Sequence, residues 1–189
     1  MKDFENYHIN IINSYIKRYN YKSYLEIGVD RGNCFRQINC DYKIGVDPDK
    51  NSILTTHYIT SNEFFSQNKK TFDIIFIDGL HHANQVIKDI DNSLKFLNPN
   101  GTIIVHDCMP ENEIEQIIPR NNKVWTGDVW KAWMQFRQRA DLRMFVFDID
   151  YGIGVIQRGK QIPLVIEQEL TWANFKTNKE VWLNLISYA

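Results

Sequence analysis

Residues 24–35 of the chain, YLEIGVDRGNCF, begin as an apolar run and pass into a short polar turn that contains Gly28 and Gly32. Apolar residues resume directly after the turn. A strand, a tight glycine turn and a helix in this order are typical of the first unit of a nucleotide-binding α/β fold. The second and third glycines of the dinucleotide fingerprint are replaced by Asp30 and Asn33. The ligand that suits this altered turn is therefore the first question that the sequence raises.

Short runs rich in Ile, Val and Phe recur along the chain and predict further strands. The continuous runs at 72–78 and 102–107 indicate strands buried on both faces. Between them, the periodic stretch 82–97 predicts a helix that ends before the NPNG turn. This alternation predicts a doubly wound α/β fold with a mainly parallel sheet. The runs in chain order are YLEIG, KIGVD, HYIT, FDIIFID, TIIVHD, RMFVFDI and GVIQ, the last of which we expect to add antiparallel at one end of the sheet.

The composition limits the class of protein. A chain of 189 residues with 43% hydrophobic content suits one domain, so we predict a single domain over 1–189. A formal net charge of -1 disfavours a nucleic-acid partner. The three cysteines contain no Cys-x-x-Cys pair, and no segment approaches the roughly 20 apolar residues of a membrane span. We therefore expect a cytoplasmic protein that does not insert into membranes.

Both ends of the chain show helical periodicity. Residues 1–20 carry Phe4, His8 and several Ile and Tyr residues at helical spacing, which predicts an amphipathic helix that packs on the domain or covers its active site. Residues 163–189 also predict mostly helix, with an apolar face that packs on the sheet, covers the acceptor site or forms a homodimer contact. That face consists of Trp172, Phe175, Val181, Leu183 and Leu185.

Four carboxylates follow four predicted strands. Glu26 lies near the end of the first, and Asp47, Asp78 and Asp107 follow the runs 43–46, 72–77 and 102–106. Ligands of open α/β sheets bind outside the carboxyl ends of the strands, so we expect these acids at one edge. Each acid alone is also consistent with a helix cap or a solvated strand end.

The acids indicate which ligand the turn prefers. Asp47 follows Gly28 by 19 residues, which matches the carboxylate that binds ribose hydroxyls in dinucleotide folds. The Asp30 carboxylate would repel the diphosphate of NAD or FAD, so both cofactors fit this turn poorly. S-adenosylmethionine has a ribose but no phosphate, and it carries sulfonium and ammonium groups that Glu26 and Asp30 favour. The turn therefore predicts S-adenosylmethionine, with Gly28 and Gly32 keeping it tight.

At this point the chain resembles the class I S-adenosylmethionine-dependent methyltransferases. The stretches 72–110, 127–133 and 148–156 are similar to a group of small O-methyltransferases associated with glycan and natural-product biosynthesis. They contain the motifs DGLHH, HDC, GDVWKAW and DIDYGIGVI. The resemblance covers about residues 22–158 and implies a Rossmann-like fold with a seven-stranded sheet and helices on both faces. Asp30 departs from the glycine that many class I members carry there.

The resemblance also implies roles for individual residues. Glu26, Gly28 and Gly32 would line the methionine end of the cofactor, and Asp47 would bind the ribose. Ser61 and Asn62 would lie near adenine, although both are equally good N-caps for a helix over EFFSQ.

Transfer of a methyl group to a hydroxyl requires alignment of the reactants and removal of the hydroxyl proton. His81, His106 and Asp107 are the candidate catalytic residues, and Asp78 lies next to them after the preceding central strand. Asp78 and Asp107 could also hold a divalent cation such as Mg²⁺, which would lower the pKa of the hydroxyl. The alternative is structural, with His106 packed in the sheet and His81 or His82 at the start of the following helix.

The segment 124–138 leaves two interpretations open. Asp128 could cap a helix that packs inward, or Asp128 and Trp130 could reach the acceptor pocket.

The sequence therefore predicts an S-adenosylmethionine-dependent O-methyltransferase that acts on a small-molecule or glycan acceptor, most plausibly a sugar hydroxyl. The alternatives are a phenolic or natural-product acceptor and a non-catalytic nucleoside-binding module. An NAD-dependent oxidoreductase is disfavoured by Asp30 and Asn33.

Overall fold

A computed structural model describes residues 7–188 of the chain. Strands and helices alternate through most of this range, as the sequence predicts. The elements in chain order are α1 (Tyr7–Tyr19), β1 (Ser23–Ile27), α2 (Asn33–Gln37), β2 (Tyr42–Val46), α3 (Ser61–Gln67), β3 (Phe72–Ile77), α4 (Ala83–Phe96), β4 (Leu97–Val105), a 3₁₀ turn (Glu113–Gln116), α5 (Val129–Arg137), β5 (Leu142–Phe147), β6 (Ile153–Arg158), α6 (Trp172–Leu183) and β7 (Leu185–Ile186).

The strands form one seven-stranded sheet in the order β2-β1-β3-β4-β6-β5-β7. The first four strands in this order pair in parallel, so their carboxyl ends lie at the same edge. Strand β6 pairs antiparallel with both β4 and β5. The prediction of a doubly wound, mainly parallel seven-stranded sheet is confirmed. The expected position of the antiparallel strand is wrong, because β6 lies inside the sheet and not at its end.

The central strands are buried on both faces, which explains their unbroken apolar sequences. On one face, residues such as Leu25, Ile75 and Ile103 pack with helices α3 to α6. On the other, residues such as Ile74 and Ile104 pack with α1 and α2. Burial of each such side chain stabilises the fold by roughly 1.5–3 kcal/mol. The helices on both faces leave the strand ends as the place where polar side chains can gather.

Helix α1 packs on the sheet through an apolar face, as one of the two predictions for residues 1–20 states. Ile9, Ile11, Ile12 and Ile16 are buried on this face. Phe4, which belongs to the same predicted helix, lies outside the described residues. None of the helices within 7–188 has the length and apolar content that crossing a bilayer requires.

Two predicted elements differ from the structure. The run HYIT forms only an isolated bridge between His57 and Val46, and the seventh strand is β7. Residues 163–171 are not helical, and Val181 is 67% exposed because helix α6 turns it away from the core. Leu185 belongs to β7 and not to the helix. Short stretches with mixed polar residues carry a weak pattern, so tertiary pairing decided their structure.

Candidate active site

A cavity of about 710 Å³ opens at the carboxyl edge of strands β1 to β4. This volume lies within the range of small-molecule sites, roughly 300–1,000 Å³. The cavity is lined by Ile27, Gly28, Asp30, Val46, Asp47, Pro48, Thr60, Ser61, Asn62, Asp78, Gly79, Leu80, His81, Gln85, Asp89, His106, Asp107, Arg120 and Trp125. Most of the residues predicted to form the site are therefore brought together in one place.

The two glycines of the opening stretch allow a close approach of backbone segments. Gly28 has a φ of +88°, and a Cβ atom there would lie 2.1 Å from the carbonyl oxygen of Asp78. Gly32 has a φ of +68°, and its Cβ would lie 2.6 Å from the carbonyl oxygen of Ile53. Any larger residue would push the turn away from its neighbours. Gly28 lines the cavity, whereas Gly32 acts behind it by fixing the turn.

Asp47 ties the glycine turn to the end of strand β2. Its Oδ2 accepts hydrogen bonds from the backbone N–H groups of Val29 and Asp30, at 3.0 and 2.9 Å. Its Oδ1 accepts from the N–H of Asp49 at 2.8 Å. A carboxylate has about four acceptor positions, so these bonds leave capacity for ribose hydroxyls. Asp47 therefore both shapes this side of the cavity and presents a charge to it.

The other two acids of the turn lie in different environments. Asp30 is exposed at the cavity with a φ of +46°, in the left-handed region that aspartate tolerates. Glu26 is buried, accepts a hydrogen bond from the hydroxyl of Tyr24, and is not among the described residues that line the cavity. Burial raises the pKa of Glu26 to about 8. In this conformation the Glu26 carboxyl contacts Tyr24 and does not line the cavity.

Helix α3 begins at Ser61, two residues before the predicted stretch EFFSQ. Thr60 is the N-cap and forms a capping box with Glu63, so Ser61 and Asn62 lie in the first turn. The alternative that Ser61 or Asn62 caps the helix is therefore wrong. The Ser61 hydroxyl donates a hydrogen bond to Asp89 at 2.6 Å. Ser61 and Asn62 both line the cavity, where they remain candidates for an adenine contact.

A cluster of two acids and two histidines forms the opposite side of the cavity. The His81 Nε2 lies 3.4 Å from Asp78, and its Nδ1 lies 3.1 Å from Asp107. The His106 Nδ1 lies 3.3 Å from Asp78 and 3.5 Å from Asp107. Asp107 has a φ of +60°, a conformation that costs energy and is characteristic of functional positions. The predicted catalytic residues are thus in mutual contact.

The electrostatics of this cluster are opposite to those of Glu26. Burial alone would raise the pKa of Asp78, but His106 and His81 outweigh it and hold that pKa below its usual value. Burial alone would lower the pKa of His106, but Asp107 and Asp78 hold it well above 6.5. Burial alone would also lower the pKa of His81, but its hydrogen bond to Asp78 and the charge of Asp107 raise it. The two acids therefore favour the protonated form of both histidines.

The comparisons with known proteins agree with this geometry. Residues 47–108 match a protein family described as a methyltransferase domain. An O-methyltransferase of tomaymycin synthesis from Streptomyces achromogenes, solved with S-adenosylmethionine, has a TM-score of 0.64 at 11% identity, over 82% of this chain and 80% of that one. This chain has a methyltransferase fold. The prediction of a Rossmann-like class I methyltransferase fold is thus confirmed.

Two further structures have this methyltransferase fold. An O-methyltransferase from Bacillus cereus, solved with S-adenosylhomocysteine, has a TM-score of 0.59 at 14% identity, over 82% of this chain and 80% of that one. The MycE methyltransferase of the mycinamycin pathway, solved with Mg, S-adenosylhomocysteine and mycinamycin VI, has a TM-score of 0.51 at 16% identity, over 87% of this chain and 52% of that one. Among curated proteins, none matches the sequence.

The donor set of this cluster suits a divalent cation. Ligand atoms of Asp78, His81 and Asp107 lie within 4.8 Å of one another. Two carboxylates and an imidazole are ligands that Mg²⁺ or a transition metal accepts. A bound cation would replace the protonated His81 as the positive charge between the acids. The residues therefore fit a metal, and they are also satisfied without one.

Two residues of the network were missed by sequence analysis. Asp150 Oδ1 lies 3.5 Å from the Nε2 of His106, and Asp150 Oδ2 lies 2.7 Å from the Nδ1 of His8 on helix α1. Both histidines hold the pKa of Asp150 below its usual value against the effect of burial. The only sequence signal was the DIDYGIGVI motif, which does not indicate a contact with His106.

The loop before α5 places residues at the cavity other than those predicted. Trp130 is fully buried and donates a hydrogen bond to Gln116, so the alternative that it reaches the acceptor pocket is wrong. Asp128 occupies the N-cap position of α5, but its side chain accepts from the backbone N–H of Ala83 at 2.7 Å. Trp125, which was not predicted, lines the cavity and stacks on His81 at 5.2 Å between ring centroids.

Proposed function

We propose that the protein transfers a methyl group from S-adenosylmethionine to a hydroxyl oxygen of a small acceptor. The observation that carries this proposal is the placement of the His81–Asp107 pair in the same cavity as the Gly28 turn and Asp47. One side of the cavity offers a shaped backbone turn and a ribose-binding carboxylate. The other side offers groups that remove a proton. Transfer to a hydroxyl needs both.

The charge of the cavity supports S-adenosylmethionine over a dinucleotide. Asp30 and Asp47 lie at the Gly28 turn, where a diphosphate would have to bind, and they would repel it. The sulfonium and ammonium groups of S-adenosylmethionine are attracted by the same acids. The two O-methyltransferases compared above were solved with S-adenosylmethionine or its product, and we extend that cofactor to this chain.

The hydrogen bonding of the cluster assigns the proton acceptor. Both ring nitrogens of His81 face carboxylates, and its Nδ1 also lies 3.2 Å from the carbonyl oxygen of Trp125. Because both nitrogens face acceptors, the His81 ring is placed to donate on both sides and not to accept a proton. We therefore assign proton removal to the carboxylate of Asp107. His81 and His106 hold that carboxylate in place and balance the charge that develops.

A divalent cation offers a second route for activation of the hydroxyl. Asp78, His81 and Asp107 would hold it, and the cation would lower the pKa of the acceptor hydroxyl. The MycE structure contains Mg, which supports a test of Mg²⁺ with this chain. In this variant of the proposal, Asp107 is a metal ligand and not the base.

The acceptor class follows from less direct observations. We favour a hydroxyl of a sugar or glycan, because Trp125 presents an aromatic ring beside the His81–Asp107 pair and polar groups surround it. A phenol or another natural product is the alternative, since the same ring would stack on it. An unactivated sugar hydroxyl needs a base or a cation more than a phenol does.

The test begins with isothermal calorimetry of S-adenosylhomocysteine and of NAD, each with and without Mg²⁺. We expect S-adenosylhomocysteine to bind and NAD not to bind. Methyl transfer from radiolabelled S-adenosylmethionine is then measured on a panel of sugars, nucleotide sugars and phenols. Binding of NAD alone would support an oxidoreductase. Two results together would support a nucleoside-binding module. The protein would bind S-adenosylhomocysteine without methyl transfer to any acceptor, and its Asp107→Ala variant would differ from wild type only in stability.

A further inference from the structure

We propose that the acceptor carries an anionic group, a carboxylate or a phosphate, which binds the guanidinium of Arg120 at the exposed rim of the cavity. This inference rests on the methyl transfer proposed above and narrows its substrate class. It follows from the charge of the cavity, from the hydrogen bonding of Arg120 and from the way its loop is fixed.

The charge of the cavity singles out Arg120. Asp30, Asp47, Asp78, Asp89 and Asp107 all line the cavity, whereas Arg120 carries the only lysine or arginine side chain among the described lining residues. Arg120 forms no ion pair with any acid in residues 7–188. Its charge is therefore not used to neutralise the acids of the cavity and stays available to a ligand.

The guanidinium is held in position without being saturated. Its Nε donates to the carbonyl oxygen of Asn122 at 3.1 Å, and its Nη2 donates to the carbonyl oxygen of Lys123 at 2.7 Å. A guanidinium has five N–H donors in a fixed planar fork, and these bonds use two of them. The remaining donors suit the bidentate binding of a carboxylate or a phosphate.

The loop that carries Arg120 is fixed relative to the catalytic cluster. The Trp125 indole N–H donates to the carbonyl oxygen of Ile117 at 2.7 Å, and the N–H groups of Thr126 and Gly127 donate to the carbonyl oxygen of Glu115. Trp125 in turn stacks on His81, with the two rings 11° from parallel. Arg120 lies 5.8 Å from the centre of the Trp125 ring. One rigid segment therefore connects the guanidinium to the His81–Asp107 pair.

This arrangement defines how an acceptor would lie. Its hydroxyl approaches Asp107, its ring lies beside Trp125, and its anionic group binds Arg120. The acids that line the cavity repel an anion, so an anionic acceptor depends on Arg120 for both affinity and orientation. A neutral acceptor of the same size gains nothing from the guanidinium. We therefore expect selectivity between acceptors that differ only in this charge.

The experiment compares matched acceptors and matched variants. Glucose, glucuronate and glucose 6-phosphate are titrated by calorimetry into protein saturated with S-adenosylhomocysteine, using wild type, Arg120→Gln and Lys123→Gln. Lys123 lies on the same loop but not among the lining residues, so its variant controls for a general loss of positive charge. We expect at least one of the two anions to bind wild type at least about tenfold more tightly than glucose, which corresponds to about 1.4 kcal/mol.

The Arg120→Gln variant should lose this preference, and Lys123→Gln should keep it. Preference for glucuronate would identify a carboxylate as the anion, and preference for glucose 6-phosphate would identify a phosphate. Equal binding of all three sugars by wild type, or an unchanged preference in Arg120→Gln, would overturn the proposal. A loss of S-adenosylhomocysteine affinity in Arg120→Gln would also overturn it, because Arg120 would then bind the cofactor.

The proposed function can fail separately. If wild type binds no S-adenosylhomocysteine, methyl transfer is excluded, and the same three titrations without it still decide whether Arg120 selects anions.

Discussion

Acids at strands β1 and β3 are held in opposite states. Behind the β1 side of the cavity, Glu26 is buried, and burial raises its pKa to about 8. On the β3 side, Asp78 is held below its usual pKa because His106 and His81 lie against it. The β1 side is positioned by backbone hydrogen bonds and close glycine contacts, whereas the β3 side is positioned by ion pairs between side chains.

This difference suggests that the two sides of the cavity have different roles. A surface set by the backbone keeps its shape when a ligand enters, which suits a site that binds the same cofactor in every turnover. A cluster of ion pairs can exchange protons or accept a cation, which suits chemistry on the acceptor. We therefore expect substitutions on the β1 side to change cofactor affinity, and substitutions on the β3 side to change turnover.

The largest effect is expected for Asp107→Asn. This change keeps the shape of the side chain but removes the proposed base, so methyl transfer should fall by roughly 10²- to 10⁴-fold. S-adenosylhomocysteine affinity, measured by calorimetry, should stay close to that of wild type. Asp141→Asn, which alters an exposed acid paired with Arg139, is the control and should retain activity. Full activity of Asp107→Asn would remove Asp107 from the mechanism.

A smaller effect is expected for Asp47→Ala. The substitution removes charge-assisted hydrogen bonds to the ribose, worth roughly 1.5–3 kcal/mol, so the Kd for S-adenosylhomocysteine should rise about 10- to 150-fold. Circular dichroism should report a folded protein before the titration is interpreted. If Asp47→Ala and Asp107→Asn weakened binding equally, with folding intact, the division between the two sides would be wrong.

Gly28→Ala tests the backbone shape of the β1 side. A Cβ at this position would meet the carbonyl oxygen of Asp78, and the φ of +88° disfavours any side chain. We expect a loss of roughly 1–3 kcal/mol in the free energy of unfolding, measured with urea. Gly159→Ala, where the nearest atom to the added Cβ is 3.1 Å away on the Arg143 side chain, should cost less. Equal costs would show that the close contact does not determine the turn.

The pH dependence of Glu26→Gln tests the protonation of the buried carboxyl group. The folded protein holds the Glu26 proton more tightly than the unfolded chain, because burial raises the pKa from 4.5 to about 8. Its contribution to stability is therefore complete below pH 4.5 and declines as the pH rises to about 8. Relative to Glu26→Gln, the wild-type Tm should fall across this range. Parallel Tm curves would show that Glu26 is ionised in the folded protein.

The sequence pointed to residues on both sides of the cavity, but it missed long-range contacts on the β3 side for a physical reason. Gly28, Gly32 and Asp47 belong to a continuous strand-turn-helix-strand unit, where spacing along the chain fixes spacing in the fold. The β3 side also draws on Asp150 and His8, which are 142 residues apart in the chain. No local pattern connects such residues, so their contact could not be predicted.

The same limit explains the other errors. The HYIT stretch has strand-forming residues, but a strand needs a partner. Of this stretch, only His57 forms a bridge, with Val46 of β2. Trp130 and Trp125 are both aromatic residues in one predicted segment. Packing against Phe175 and Trp182 buries Trp130, whereas stacking on His81 leaves Trp125 at the cavity. Amino-acid composition alone could not predict which of the two tryptophans is buried.

The sequence by itself determined the class of fold and the edge of the sheet where ligands bind. Apolar periodicity sets which strands are buried, and parallel strands bring the acids that follow them to one edge. Only the tertiary structure decided the pKa values of Glu26 and Asp78. Each pKa depends on whether burial or a neighbouring imidazolium dominates, and that balance depends on contacts between segments distant in sequence. The position of Arg120 beside Trp125 was decided in the same way.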